Sequence, residues 1–325
     1  MKTLVSPGAM QMGETAQVAE DRSWLEEVAE TSQEARERAV LQALKKDHVA
    51  LVRGLSAEAA SELLLAVAQK CGLEDGLDLQ TAFASSLGHR ENVGRYYMTV
   101  NKRSDYQFVC PHSEGNSFSN FQLASFYCYE NSTDGGETIL FHTNQAASAW
   151  QTARERVNRA KVNGVLTPGQ IRQMRASLRL NMPDDALAPD DEILSERVID
   201  AQLSVFKALA RPRQTYSVLL QRQLYGYWNS IESTDADSAD EFRAMLQADG
   251  LLRLPAGSEP TSLLDDEHAN RIRRFGSKYA DLFSSKITHK LVAGDFVILN
   301  NVSWAHSVAN WTPGSGQRQV VAAFA

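Results

Sequence analysis

His112 and Glu114, in Cys110-Pro111-His112-Ser113-Glu114, are where this sequence first offers chemistry. On an extended chain, side chains two positions apart point to the same side. The pair would therefore present an imidazole and a carboxylate together, two donors that suit a divalent metal. A strand-like run follows, and then Gly135-Gly136-Glu137-Thr138. A third donor has to come from a distant segment, and the candidate is His306 in Asn301-Val302-Ser303-Trp304-Ala305-His306.

Two imidazoles and one carboxylate on one face of an iron leave three positions open, the facial arrangement of non-haem Fe(II) oxygenases. A zinc hydrolase can use the same donors, so the donor set alone leaves the reaction open. An isolated His-x-Glu in a chain with 7 histidines is usually surface chemistry without consequence. His48, His89, His268 and His289 lack such company and read as structural or exposed. His142, four residues past Thr138 and on the same side of an extended segment, could line the site, although a plain buried histidine is the commoner case.

The elements that must position these residues can be read along the chain. Residues 1–20 are small and polar and read as a flexible N-terminus. Asp21 to Lys46 has helical spacing, with Lys45 and Lys46 suiting a helix C-terminus. Residues 48–55 read as a short strand, and Ser56 as the N-cap of the next helix, which buries Leu63, Leu64 and Val67. Residues 93–101, 121–129 and 137–142 are aromatic and β-branched enough for strands, and residues 145–164 read as helix. From about 165 to 286 the sequence is rich in charge and helix formers and reads as a mostly helical insertion. Strand patterns resume at 290–301 and at 317–325. This order predicts a mainly β protein with flanking helices, a double-sheet jelly roll with helical packing outside, as one domain over 21–325.

Composition excludes several classes. With 325 residues, 43% hydrophobic and 22% charged, the chain is ordinary for a globular protein, and a net charge of -7 argues against nucleic acid or an anionic membrane as partner. No window approaches the roughly 18 consecutive apolar residues of a membrane helix. The N-terminus lacks the apolar core of a signal peptide. Three widely spaced cysteines, Cys71, Cys110 and Cys128, fit buried thiols in a reducing compartment, so a cytoplasmic protein is expected. Oligomeric state is not legible.

The ordered set His112-x-Glu114, Gly135-Gly136-Glu137-Thr138, Gly294-Asp295-Phe296-x-x-x-x-Asn301, His306 and Arg318 resembles the taurine dioxygenase/TfdA-like family. These are Fe(II)- and 2-oxoglutarate-dependent oxygenases on a double-stranded β-helix, a cupin-like jelly roll within the clavaminate synthase-like superfamily. The likeness runs from about residue 45 to the end and is weak across 165–286. It implies His112, Glu114 and His306 as iron ligands, Thr138 as support for the 2-oxoglutarate carboxylate, and Arg318 as the partner of its far carboxylate. A guanidinium suits that last role because it gives a carboxylate two parallel hydrogen bonds.

Two positions depart from the common pattern. The acid is Glu where many members have Asp, as in the clavaminate synthase-like branch. Ala322 stands where some relatives carry a second arginine, so a contact to a substrate anion must come from elsewhere. A carboxylate at 114 also weighs against the halogenating branch.

The resemblance implies oxidation of an unactivated C–H bond, by hydroxylation, desaturation or cyclisation, with 2-oxoglutarate and O2 consumed and succinate and CO2 released. The substrate expected is a small polar molecule, amino-acid-derived. Its contacts are expected from Gln107, Asn116, Ser117, Phe118 and His142, with the insertion, including Tyr225, Tyr227 and Trp228, as a lid. The rival readings are a metal-dependent hydrolase or isomerase on a similar barrel, and a ligand-binding jelly roll without catalysis.

Overall fold

The computed structural model describes residues 27–29, 31–46, 49–78, 80, 90–100, 105–114, 121–143, 155–178, 180, 182–183, 185–210, 225–226, 236–261, 281, 283–301 and 303–325. The N-terminal segment 1–20 and the candidate residues Asn116, Ser117, Phe118, Tyr227 and Trp228 lie outside them.

The chain opens with β1 (Glu27–Val28), α1 (Gln33–Lys46), β2 (Val49–Val52) and α2 (Ala57–Cys71). It continues through β3 (Asn92–Val93), β4 (Tyr97–Thr99), β5 (Phe108–His112), β6 (Leu123–Glu130) and β7 (Thr138–Thr143). Next come β8 (Glu155–Val162), α3 (Pro168–Gln173), β9 (Glu192–Val198), β10 (Leu203–Ala210), β11 (Tyr225–Gly226) and α4 (Ala236–Ala248). The last strands are β12 (Phe283–His289), β13 (Phe296–Asn300), β14 (Trp304–Val308) and β15 (Gln319–Phe324).

Three sheets result, in strand orders β1-β2-β13-β6-β15-β4-β3, β11-β5-β14-β7-β12 and β8-β10-β9. The first two form the jelly roll. Strands β4, β6, β13 and β15 belong to one sheet and β5, β7, β12 and β14 to the other, so the chain crosses repeatedly between them. Their neighbours pair antiparallel, β6 between β13 and β15, and β14 between β5 and β7. The inner faces meet in one core in which Phe126, Val297, Val320 and Phe324 pack with Leu140, Ile287 and Trp304. Helices cover the outsides. Val40 and Leu44 of α1 and Leu63, Leu64 and Val67 of α2 lie on the larger sheet, while Ala239, Phe242 and Leu246 of α4 lie on the smaller. Each buried Leu there contributes roughly 1.5–3 kcal/mol relative to exposure. Ser56 caps α2 as expected, its Oγ accepting from Ala59 N.

Four local expectations are corrected. The first helix begins at Gln33 rather than Asp21, because Glu27 and Val28 instead pair parallel with Leu51 and Val52. Residues 93–101 are not one strand; Gly94, at φ 64°, turns β3 into β4. Within 145–164, residues 155–162 form strand β8 rather than helix. Eight consecutive pairs with β10 satisfy the backbone groups on one edge of it, and that outweighs helix propensities of a few tenths of a kcal/mol per residue. The described part of 165–286 is also not mostly helical. It holds β9, β10, β11 and the start of β12 besides α3, the π-helical Met174–Leu178 that continues it, and α4, with a small core of Ala160, Met174, Leu180 and Leu203 beside the three-stranded sheet.

All three cysteines are free and buried, and burial pushes the Cys128 thiol up to about 11. Among the described residues no helix is long and apolar enough to cross a membrane.

Candidate metal centre

His112 ends β5 and His306 lies in the middle of β14, and the two are direct register partners. The register slips between this pair and the next, Val308 with Val109, because β5 carries one residue more than β14 there. The extra residue is a bulge at Cys110-Pro111, which turns Cys110 into the outer core while both Val109 and His112 line the cavity. Cys110 repays the distortion locally: its carbonyl lies 2.9 Å from His112 Nδ1. That contact places the proton on Nδ1 and leaves the Nε2 lone pair facing the cavity, the tautomer a metal ligand needs.

Glu114 sits just beyond the strand. Its backbone is held by Asn301, whose Oδ1 accepts from Glu114 N at 3.1 Å while Nδ2 donates to Glu114 O at 2.7 Å and to Phe121 O at 2.9 Å. One fully buried amide thus ties the end of β13 to the carboxylate-bearing turn. Glu114 Oε1 is 3.6 Å from His112 Nε2 and 3.3 Å from Arg90 Nη2. Burial alone would raise this carboxyl. Its neighbours Arg90, His112 and His306 outweigh burial and bring it down to about 2.

The donor atoms of His112, Glu114 and His306 all lie within 4.8 Å of one another. The His112 and His306 ring centroids are 4.3 Å apart, and Phe126 backs His306 at 4.8 Å. The set fits a divalent metal on chemical grounds: two imidazoles, one of them with its tautomer fixed, and one ionised carboxylate converge in a partly enclosed cavity.

Thr138 and Arg318 open onto the same cavity. Arg318 donates from Nη2 to Thr138 Oγ1 at 3.4 Å and from Nε to Gly136 O at 3.2 Å. The double glycine makes this possible. A Cβ on Gly135 would lie 2.3 Å from Asn310 O, and one on Gly136 would crowd Asn131 Oδ1 at 2.7 Å and the Arg318 side chain at 3.2 Å. Lys290 Nζ also donates to Gly135 O. The guanidinium is therefore delivered to one end of the cavity by a turn that tolerates no side chains.

The remaining candidates lie elsewhere. His142 shares the inner face of β7 with Thr138, but pairs with Trp304, beyond His306 from Thr138. Its Nδ1 meets Ser284 Oγ at 2.8 Å, its ring packs on Trp304 at 5.1 Å, and it is not among the cavity-lining residues. Gln107 is buried, two residues before the first cavity-lining position of β5, Val109. Arg90 is a cavity residue that sequence reasoning missed. It lies 24 positions before Glu114 in no recognisable pattern, and no local signal could have found it.

No family model matches the chain, and no curated protein matches it. Among solved structures, AAD-2 in complex with Mn(II) and N-oxalylglycine is 13% identical, with 94% of each chain covered and a TM-score of 0.37. A Burkholderia xenovorans protein assigned as an alpha-ketoglutarate-dependent 2,4-D dioxygenase is 15% identical over 90% of this chain and 88% of that one, with a TM-score of 0.33. PvcB from Pseudomonas aeruginosa is 14% identical over 89% and 79%, also with a TM-score of 0.33. At such distances the reading of the site rests on its own geometry.

Proposed function

We propose that this chain is an Fe(II)- and 2-oxoglutarate-dependent oxygenase acting on a C–H bond of a small polar molecule, amino-acid-derived. The observation that carries the proposal is the convergence of five side chains on one cavity, His112, Glu114 and His306 beside Thr138 and Arg318. A metal hydrolase would use the triad but has no evident need for the Thr138–Arg318 pair.

His112, Glu114 and His306 would hold the metal through one face, leaving its other positions toward the cavity. Arg318, steadied by Gly136 O and Thr138 Oγ1, would bind the far carboxylate of 2-oxoglutarate and set its direction. The metal and cosubstrate supply the oxidising power, coupling decarboxylation of 2-oxoglutarate to cleavage of the C–H bond. The chain supplies position. Cys110 fixes the His112 ring, Asn301 fixes Glu114, and the apolar wall of Val320, Ala322 and Phe324 keeps water from the reacting atoms.

The partners proposed are therefore small molecules, with neither nucleic acid nor membrane involved. Incubation with Fe(II), O2 and 2-oxoglutarate should release succinate slowly, and faster with the correct substrate. Absence of succinate from well-folded, iron-loaded protein across a broad metabolite set would overturn the proposal.

A further inference from the structure

The turn that delivers Arg318 to the cavity is gripped from outside the barrel as well as from within. Gly135 and Gly136 lie at φ 95° and 74°, a pair with wide backbone freedom and no side chains to fix its path. On the cavity side, Arg318 bonds Gly136 O and Thr138 Oγ1. On the outer side, Arg253 spans the acids that flank the glycine pair. Its Nε donates to Asp134 Oδ1 at 2.9 Å and its Nη2 to Glu137 Oε1 at 3.3 Å. One planar guanidinium thus bridges both ends of the turn, a geometry that lysine cannot reproduce.

Arg253 comes from the insertion, just past α4, and is itself firmly held. Leu251 and Leu252 before it pack on the outer core with Phe242 and Leu246. Asn310, just past β14 and 1% exposed, takes up its backbone: Oδ1 accepts from Arg253 N and Nδ2 donates to Arg253 O, both at 2.8 Å. The Asn310 carbonyl in turn accepts from Gly136 N at 3.1 Å, so a single residue anchors both the strut and the turn it braces. Arg253 and Glu137 are only 19% and 13% exposed, so their pair is sheltered from the solvent screening that makes open surface pairs weak. Ser132 and Lys290 also donate to Gly135 O. The turn therefore keeps its fold without Arg253 and loses only its close placement.

We propose that Arg253 is a positioning residue for the cosubstrate: bracing the Asp134–Glu137 turn from outside, it holds Arg318 where 2-oxoglutarate binds, and so lets the insertion set cosubstrate affinity. The inference rests on the oxygenase reading and deepens it. Arg253 is not among the cavity-lining residues, so it acts through Arg318 rather than on a ligand.

The test is anaerobic equilibrium dialysis of labelled 2-oxoglutarate with Co(II)-loaded protein, for Arg253→Met, Arg318→Met and the double variant. Arg253→Met should weaken 2-oxoglutarate by about tenfold, the scale of losing an outer partner of a binding group. Its affinity for Co(II) alone should not change, and Arg253→Lys should recover part of the loss. In the Arg318→Met background, Arg253→Met should cost nothing further, because the group it positions is gone. Glu137→Gln breaks the same brace from its other end and should also weaken 2-oxoglutarate. Asp249→Asn is the control. It removes an ion pair to Lys286 that ties the end of α4 to β12 rather than to the turn, and should leave cosubstrate binding as it is.

The inference is overturned if Arg253→Met binds 2-oxoglutarate like the wild type, if its loss multiplies that of Arg318→Met, or if Asp249→Asn weakens binding as much. Should Arg253→Met fail to fold, wild-type cosubstrate affinity in Glu137→Gln would overturn it. Failure of the metal-loaded wild type to bind 2-oxoglutarate would instead overturn the oxygenase reading itself.

Discussion

His112 and His306 face each other across a single register pair of β5 and β14, their ring centroids 4.3 Å apart. Two imidazoles from positions 194 residues apart in sequence (306 − 112) are thus fixed by sheet pairing rather than by loop conformation. A site built on paired strands needs little reorganisation when a metal arrives.

His306→Ala should leave the sheet intact and abolish tight metal binding. The ring packs tilted against Phe126 in the core margin, so the variant should also lose about 1–2 kcal/mol of stability. Titration with Co(II) reads the first effect and denaturant unfolding the second. A variant that binds Co(II) as the wild type does would remove His306 from the ligand set.

Arg318→Met should weaken 2-oxoglutarate binding by roughly tenfold to a hundredfold, the loss expected for a charge-assisted pair. Affinity for Co(II) alone should change little, because Arg318 reaches Thr138 and Gly136 rather than the triad. Lysine at 318 should recover only part of the loss, since it cannot offer the two-pronged geometry. Equilibrium dialysis with labelled cosubstrate distinguishes these outcomes.

Asn301→Ala should act on the metal from a distance. It removes partners from Glu114 N, Glu114 O and Phe121 O at once, a destabilisation on the order of 3 kcal/mol. With the carboxylate-bearing turn released, metal affinity should fall by about 10–100-fold, as when an outer partner of a ligand is lost. If Co(II) affinity per folded molecule is unchanged, Asn301 supports the fold but not the site.

Asp134 gives a pH prediction. Thr312 and Arg253 hydrogen-bond its carboxylate and hold it below the usual range. The folded value lies under the unfolded one, so the stabilisation is present above about pH 4 and is lost as pH falls through the lower folded value. The side chain is 54% exposed, so the effect should be small. The melting temperature of Asp134→Asn should lie slightly below that of the wild type at pH 7, and the two should converge as the pH falls below the usual carboxylate range. A gap that widens on acidification would contradict the assignment.

The legible part of the site was the part carried by residue order. His112, Glu114, His306, Thr138 and Arg318 stand in recognisable spacing, and β6, β13 and β15 are visible because they are runs of apolar, aromatic and β-branched residues, as strands buried on both faces are. Arg90 was not legible, since only the folded sheet brings it to Glu114. His142 has the right period along β7, but its place beyond His306 puts it at the wrong end of the strand, which periodicity does not report. The sheet of β8, β9 and β10 was missed because its strands carry Glu, Arg, Lys and Ala, residues that read as helix until pairing overrides them. The bulge at Cys110-Pro111 likewise leaves no signature beyond a proline, yet it aims His112.

The most direct test of the central claim is the visible spectrum of the protein after anaerobic addition of Fe(II) and 2-oxoglutarate. The arrangement of His112, Glu114, His306 and Arg318 predicts a weak charge-transfer band that requires both additions and disappears in His306→Ala. Well-folded protein that gives no such band with both present would contradict it.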